Sequence, residues 1–321
     1  MSEGQARQTG VVLVGIVLVP DFALASFSMI IEPLRIANRL AGRQLYEWTL
    51  LSDSGGTIAS SAGIELQTQA IATTRDRTFD LALVCAGFHA ERYRAASVLN
   101  WLRRHSRLGR NVGAVSTGTF VLARAGLLAG RRCTVHWDFR SALAELYPDL
   151  DLVDELYVID QRVVTSAGSI AALDLMLRLI ADQQGAGFSK AVGEQFVHSG
   201  ARGAGEHQRS DLVHRLGTAK PILIEAVRRM EESLNRPLSP AIIARDLGVS
   251  QRQLERQFRA QFGRTPVAYH RDLRLDQARR MLTQSTLSVT IVALTCGFGS
   301  PSHFAQLYRQ RFGRLPNEDR A

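Results

Sequence analysis

Residues 243–250 read Ile243-Ala244-Arg245-Asp246-Leu247-Gly248-Val249-Ser250, and residues 292–299 read Val292-Ala293-Leu294-Thr295-Cys296-Gly297-Phe298-Gly299. The two octets lie 49 residues apart and share an apolar-Ala start and a glycine at the sixth place. A second pair follows, Phe262-Gly263-Arg264-Thr265-Pro266 and Phe312-Gly313-Arg314-Leu315-Pro316, 50 residues apart. Two copies are too few for a solenoid. Each has the layout of a helix-turn-helix: a short helix, a turn glycine, a polar cap (Ser250, Ser300) and a second helix. In the first copy Leu254, Phe258 and Phe262 recur at i, i+4 and i+8 and must face a core. That leaves Arg252, Glu255, Arg256 and Arg259 on the other face. In the second copy Phe304, Tyr308 and Phe312 form the stripe, and Ser302, His303, Gln306 and Arg309 face out. Arginine suits the guanine edge and glutamine the adenine edge in a major groove. The competing reading is a solvated basic helix. Residues 267–283 join the copies; as a helix they span about 25 Å. With the flanking turns, that separation suits successive major grooves, about 34 Å apart.

Charge points the same way. The chain has 321 residues, 39 basic and 30 acidic, for a net charge of +9. Residues 1–206 hold 20 of each sign, and residues 207–321 hold 19 basic and 10 acidic. The whole excess therefore sits in the last third, and a polyanion partner is expected for that part alone. With 45% hydrophobic and 21% charged residues, the chain can bury cores and is not a disordered one.

Upstream the pattern changes. Residues 11–19, 46–52, 81–85, 112–116 and 157–165 are apolar runs rich in Val, Ile and Leu, as strands buried on both faces should be. Residues 26–40, 91–108, 117–125 and 169–183 carry apolar residues at helical spacing between them. Such alternation predicts an α/β sandwich with a mostly parallel sheet, followed by an all-α domain with two helix-turn-helix motifs. The boundaries expected are 10–198 for a sensing domain, 199–216 for a linker opened by the small-residue stretch 199–205, and 217–316 for the DNA-binding domain.

Cys85, Cys133 and Cys296 are scattered in apolar stretches, so no disulfide framework is expected and a reducing compartment fits. No Cys/His cluster has zinc spacing, and no cofactor is expected. No apolar run reaches the ~18 residues needed to cross a bilayer. The run 11–19 followed by Ala23-Leu24-Ala25 has the outline of a secretory signal, but Arg7 is offset by Glu3 and Pro20-Asp21 breaks the run. A first buried strand in a cytoplasmic protein is the better reading.

Ala114-Val115-Ser116-Thr117-Gly118 closes a strand and opens a helix, the setting of a nucleophile elbow. A serine hydrolase or amidase using Ser116 is one reading, with His136 or His198 as base; a tight turn that contains a serine is the other. Ligands of open α/β sheets sit at the carboxyl ends of the strands. Here those ends are Pro20-Asp21, Gly87-Phe88-His89 and Ser116-Thr117. Phe88 and Trp137 would offer aromatic faces and Glu32 a carboxylate, a set suited to a quaternary amine or an amino-acid-derived cation.

Two resemblances follow from these residues. Residues 248–258 (GVSQRQLERQF), 262–266 (FGRTP) and 274–282 (RLDQARRML), with the second copy, resemble the AraC/XylS family of transcription regulators. That resemblance implies base contacts from Arg252, Glu255 and Arg256, then Ser302 and Gln306. Residues 114–118, 122–131 and Thr134-Val135-His136-Trp137 resemble the PfpI-type, class I amidotransferase-like domain, of flavodoxin-like fold. Its enzymes carry Cys then His at the elbow, where this chain has Ser116 and Thr117, so the resemblance implies a pocket without its catalyst. Glu32 resembles that family's acidic pocket residue. Residues 31–38 and the strand with Tyr46 and Trp48 resemble regulators of carnitine, glycine betaine or arginine catabolism. The pairing implies a ligand-responsive, homodimeric activator. Its partners would be double-stranded DNA, a small nitrogenous effector and RNA polymerase, with no membrane partner. The effector site expected is Glu32, Gly87, Phe88, Ser116, Thr117, His136 and Trp137.

Overall fold

The computed structural model describes residues 10–197, 202–206, 208 and 212–320. The chain divides into two compact units after Gln208. The first begins with β1 (Val12–Leu18), α1 (Leu24–Ala41), β2 (Tyr46–Ser52), β3 (Ser54–Ala59), β4 (Glu65–Ala70) and β5 (Leu81–Ala86). It continues with α2 (Ala96–Arg107), β6 (Asn111–Ser116), α3 (Thr119–Arg124), β7 (Arg132–Cys133), α4 (Arg140–Leu146) and β8 (Asp151–Leu152). β9 (Tyr157–Asp160), β10 (Val163–Ser166), α5 (Ile170–Gln184) and α6 (Ala186–Glu194) complete it.

Eight strands form one sheet in the order β3-β4-β2-β1-β5-β6-β10-β9. The central neighbours β2, β1, β5, β6 and β10 pair in parallel. Side chains alternate across the pleat, so β1 feeds two cores. Val14, Ile16 and Leu18 pack with Ile30 and Leu34 of α1 and Leu173 and Leu177 of α5. Val17 packs on the other face with Val98 and Leu102 of α2 and Phe120 of α3. Helices on both faces explain why these strands read as continuous apolar runs.

Three details differ from the sequence reading. The run 157–165 is a hairpin, β9 antiparallel to β10, turned at Gln161 with φ of 56°. The edge hairpin β3–β4, the short pair β7–β8 and helices α4 and α6 were not expected; β3 is mostly exposed apart from Ile58, and β4 alternates exposed Glu65, Gln67 and Gln69 with half-buried Leu66, Thr68 and Ala70. Residues 202–206 and Gln208, within the stretch read as a linker, are hydrogen bonded to the first unit, with Leu156 N–H reaching the carbonyls of Ala204 and Glu206 at 3.2 Å each.

The second unit contains α7 (Leu212–Leu216), α8 (Pro221–Glu232), α9 (Pro240–Asp246), α10 (Gln251–Phe262), α11 (Pro266–Gln284), α12 (Val289–Thr295) and α13 (Pro301–Phe312). Ser239, Ser250, Thr265, Ser288 and Ser300 each cap a helix by accepting the N–H three residues on. These caps satisfy otherwise orphaned donors and fix where each helix starts. The internal repeat extends to single hydrogen bonds. Val249 N–H reaches Ala244 O at 3.0 Å, and Phe298 N–H reaches Ala293 O at 2.8 Å. The turn glycines between them, Gly248 and Gly297, have φ of 67° and 73°. A Cβ on Gly297 would lie 2.8 Å from Leu234 O and 2.9 Å from Asn235 O, so only glycine fits there. The two turns are not identical: residues 247–250 join α9 to α10, whereas 296–300 join α12 to α13. The second turn thus has one residue more.

Candidate nucleic-acid interface and effector site

On α10, Leu254 and Phe258 are fully buried, and on α13 Phe304 and Tyr308 are. Their opposite faces carry the residues expected to read DNA. Arg252, Arg256 and Arg259 are exposed, as are Ser302, His303, Gln306 and Arg309. Glu255 is half-buried and accepts from Gln251 Nε2 at 2.9 Å. The acidic residues of this unit are largely engaged elsewhere. Glu225 and Glu232 hold Arg228, Asp246 holds Arg229, Asp272 and Asp276 hold Arg311, and Asp319 holds Arg279 and Arg314. Among the described residues Arg252, Arg256 and Arg259 have no carboxylate partner. Folding therefore leaves the arginines on the exposed face of α10 without a neutralising carboxylate.

Arg274 of α11 fixes the second motif. Its Nε donates to Cys296 O at 2.7 Å and its Nη2 to Gly297 O at 2.5 Å. The guanidinium also lies 4.1 Å over the Phe298 ring. His270, one turn earlier and buried, bonds to the Met230 backbone, and its Nε2 has no partner among the described residues. Burial, with Arg274 nearby, pushes its pKa down to about 4. The unfolded chain binds this proton near pH 6.5 and the folded unit only near 4, so the fold is fully stable on this account above 6.5. Stability falls as pH drops from 6.5 toward 4, by up to about 3 kcal/mol. In urea titrations at pH 7 and pH 4.5, His270→Gln should lose markedly less stability between the two than the unchanged chain does.

In the first unit the carboxyl ends of β1, β5, β6 and β10 are neighbours in the sheet. At or just beyond those ends stand Asp21, His89, Ser116 and Ser169, with φ of 60°, 63°, 60° and 52°. Among the described residues, only Gln161 and Val197 besides these are non-glycine positions with positive φ. Such strain persists only where surrounding structure enforces it, and it clusters at functional sites.

The loops at this edge interlock. Thr117 Oγ1 donates to Gly87 O, joining the ends of β5 and β6. A Cβ on Gly168 would lie 2.7 Å from Ser116 Cβ and 2.8 Å from Ser26 Oγ, so the loop after β10, the end of β6 and the first turn of α1 meet there. Ser26 Oγ accepts from Ser169 N–H at 2.7 Å. Thr119 Oγ1, in the first turn of α3, donates to Thr134 O at 2.8 Å and so holds the segment that bears His136 and Trp137. Burial lowers the pKa of His136. Its Nδ1 accepts from Asp138 N–H at 3.3 Å, and its ring lies 5.5 Å from that of Trp137. Phe88 is 56% exposed at the tip of its loop.

Gly87, Ser116, Thr117, His136 and Trp137 are thus linked, and Phe88 adjoins them. Glu32 stands differently: Arg35 holds its carboxylate at 2.6 Å on a partly exposed face of α1 and keeps its pKa low. It lies six residues from Ser26, about 9 Å along the helix and about 120° round it. Asp21 and His89 were expected at the strand ends, but their backbone conformation was not, because positive φ at a non-glycine residue leaves no trace in sequence; Ser26 and Ser169 were not expected there. Glu91 is also buried here, with Oε1 lacking a hydrogen-bond partner among the described residues, and its pKa is raised by burial. Among the described residues no hydrogen bond joins Ser116 Oγ to a histidine or carboxylate; His198 lies outside them.

An open α/β sheet with strained loops at its carboxyl edge, joined to a twofold helix-turn-helix unit, defines a class. Residues 22–182 match the DJ-1/PfpI family, and residues 243–321 match a helix-turn-helix domain. The chain belongs to the AraC-type DNA-binding transcription regulators that carry a DJ-1/PfpI domain. It is 41% identical over 304 residues to the HTH-type transcriptional regulator CdhR of Pseudomonas aeruginosa, covering 95% of this chain and 90% of that one. It is 38% identical over 304 residues to the HTH-type transcriptional regulator GlxA of Rhizobium meliloti, covering 94% of each. Among solved structures, an AraC family transcriptional regulator from Pseudomonas putida superposes with a TM-score of 0.50 at 27% identity, covering 58% of this chain and 99% of that one. DJ-1beta of Drosophila melanogaster shares the fold, with a TM-score of 0.53 at 19% identity over 60% of this chain and all of that one. No helix of the described residues is long and apolar enough to cross a membrane.

Proposed function

We propose that the protein is a cytoplasmic, homodimeric activator that recruits RNA polymerase when a small nitrogenous metabolite binds its first unit. The metabolite is a quaternary amine or an amino acid. It sits at the carboxyl edge of the sheet, against Gly87, Phe88, Ser116, Thr117, His136 and Trp137, with Glu32 contributed from α1. Arg252, Glu255, Arg256 and Arg259 of α10 and Ser302, His303, Gln306 and Arg309 of α13 contact DNA. The observation that carries the sensing role is the row of strained residues beyond four adjacent strands. The observation that carries DNA reading is the unpaired arginine face of α10. Thermal-shift screening of the full chain against betaines, amines and amino acids, then footprinting with each binder, tests the reading. No binder in the panel, or a footprint and transcript level that no binder alters, would sink it.

Ser116 at φ of 60° has the backbone of a nucleophile elbow, which favours a hydrolase as second reading. Against it, the elbow bears Ser116 and Thr117 where the family's enzymes have Cys and His, so a thiolate is missing. Cys85 is no substitute: burial pushes its pKa up to about 12. The unchanged protein is expected to release no product from p-nitrophenyl esters or amides above the rate of Ser116→Ala. A Ser116-dependent turnover would establish the hydrolase instead.

A further inference from the structure

The chain leaves the first unit through residues 202–206 and Gln208, and this exit is fastened at two places. Arg202 is the first. Its Nε and Nη2 donate to Asp174 Oδ2 at 3.0 and 2.8 Å, and its backbone N–H donates to Asp174 Oδ1 at 2.9 Å. The Asp174 side chain has no exposure at all. Gln208 is the second, and it uses both ends of one carboxamide. Its Oε1 accepts Trp137 N–H at 2.7 Å. Its Nε2 donates to Thr134 Oγ1 and Val135 O at 2.9 Å and to Glu155 O at 3.0 Å. The last residue of the unit is therefore bonded to the backbone of the residue that bears the Trp137 ring.

The same segment is tied to the elbow. Thr119 Oγ1 holds Thr134 O, and Thr165 Oγ1 accepts Thr134 N–H at 2.9 Å. A continuous path of hydrogen bonds thus runs from the helix after Ser116, through Thr134, to Gln208. Only a carboxamide satisfies this site. A carboxylate of the same length keeps the acceptor for Trp137 but sets its second oxygen against three acceptors, of which Val135 O and Glu155 O are carbonyls with no hydrogen to give. An aliphatic side chain loses both halves.

We propose that Gln208 is a positioning residue that couples the effector site to the chain leading into the DNA-binding unit. A ligand that moves Trp137 must move or release Gln208, and with it the start of the connection. This rests on the reading of the sheet's carboxyl edge as the effector site, but its core is testable without effector.

The test uses the full chain, with Gln208→Glu, Gln208→Ala and Arg202→Met compared by hydrogen exchange and by affinity for the protein's footprinted DNA. Gln208→Glu and Gln208→Ala are expected to speed exchange in peptides covering residues 132–139 by about tenfold, the loss of roughly one hydrogen bond. Ligand-free DNA affinity should change at least about threefold while thermal unfolding of the second unit stays put. Arg202→Met loosens residues 202–206 and should leave 132–139 unchanged. With glycine betaine as probe, the unchanged chain should shift its footprint, and both Gln208 variants should lose that shift. Unaltered exchange at 132–139 overturns the proposal. So does altered exchange with wild-type DNA affinity and footprint, which would make Gln208 structural only. If the unchanged chain ignores glycine betaine, the effector assignment is in question, and the ligand-free affinities still decide the role of Gln208.

Discussion

Arg274→Met is expected to release the second helix-turn-helix motif from α11 and to cut DNA affinity by more than about a hundredfold. Methionine keeps most of the side-chain volume and loses only the guanidinium. That group donates to the carbonyls of Cys296 and Gly297 and stacks on Phe298. Bonds from a charged donor contribute about 1.5–3 kcal/mol, and the ring contact about 1 more. The two carbonyls belong to the turn that aims α13, so their loss reaches the reading face directly. Arg274→Lys is not expected to rescue, since a point charge cannot serve two carbonyls and a ring together. Chemical-shift mapping would show α12 and α13 perturbed with α8 to α10 intact. A variant that binds DNA as tightly as the unchanged chain would remove Arg274 from this role.

Arg256→Ala is expected to cost about 1–3 kcal/mol of binding, roughly 5- to 150-fold, and to relax preference at one base pair. The residue is exposed on α10, and among the described residues no carboxylate neutralises it. Its guanidinium is therefore free to meet a guanine edge, and folding holds the helix ready to present it. Selection from randomised sites, run with both proteins at one salt concentration, separates the outcomes. A uniform loss over all sequences, with the salt slope reduced by about one, would make Arg256 a phosphate contact.

The second unit was the more legible half. Its helix starts are set by serine, threonine and proline, and its turns by glycine, so local chemistry marks each boundary. Burial follows the stripes Leu254–Phe258 and Phe304–Tyr308 because a 3.6-residue period allows little else. The first unit was legible where strands are buried on both faces. It was opaque at the edges: β3 and β4 are too polar to stand out, and Gln161 turns a hairpin without glycine or proline. The rule for open sheets picks out the edge proposed for the effector, but not how that edge is built. Asp21, His89 and Ser169 matter through backbone conformation, and Gln208 through partners more than fifty residues away in sequence.

The extra residue in the second turn, Gly299, has a consequence for the kind of address this protein can read. One added residue lengthens the path from α12 into α13 relative to that from α9 into α10. The exposed side chains differ too: Arg252, Arg256 and Arg259 on α10, and Ser302, His303, Gln306 and Arg309 on α13. The twofold reader is thus a duplication without being a palindrome. A single chain carries a head and a tail along the DNA axis, and a site turned end for end is a different site. Under the proposed mode of reading, a bound chain faces one way along the DNA.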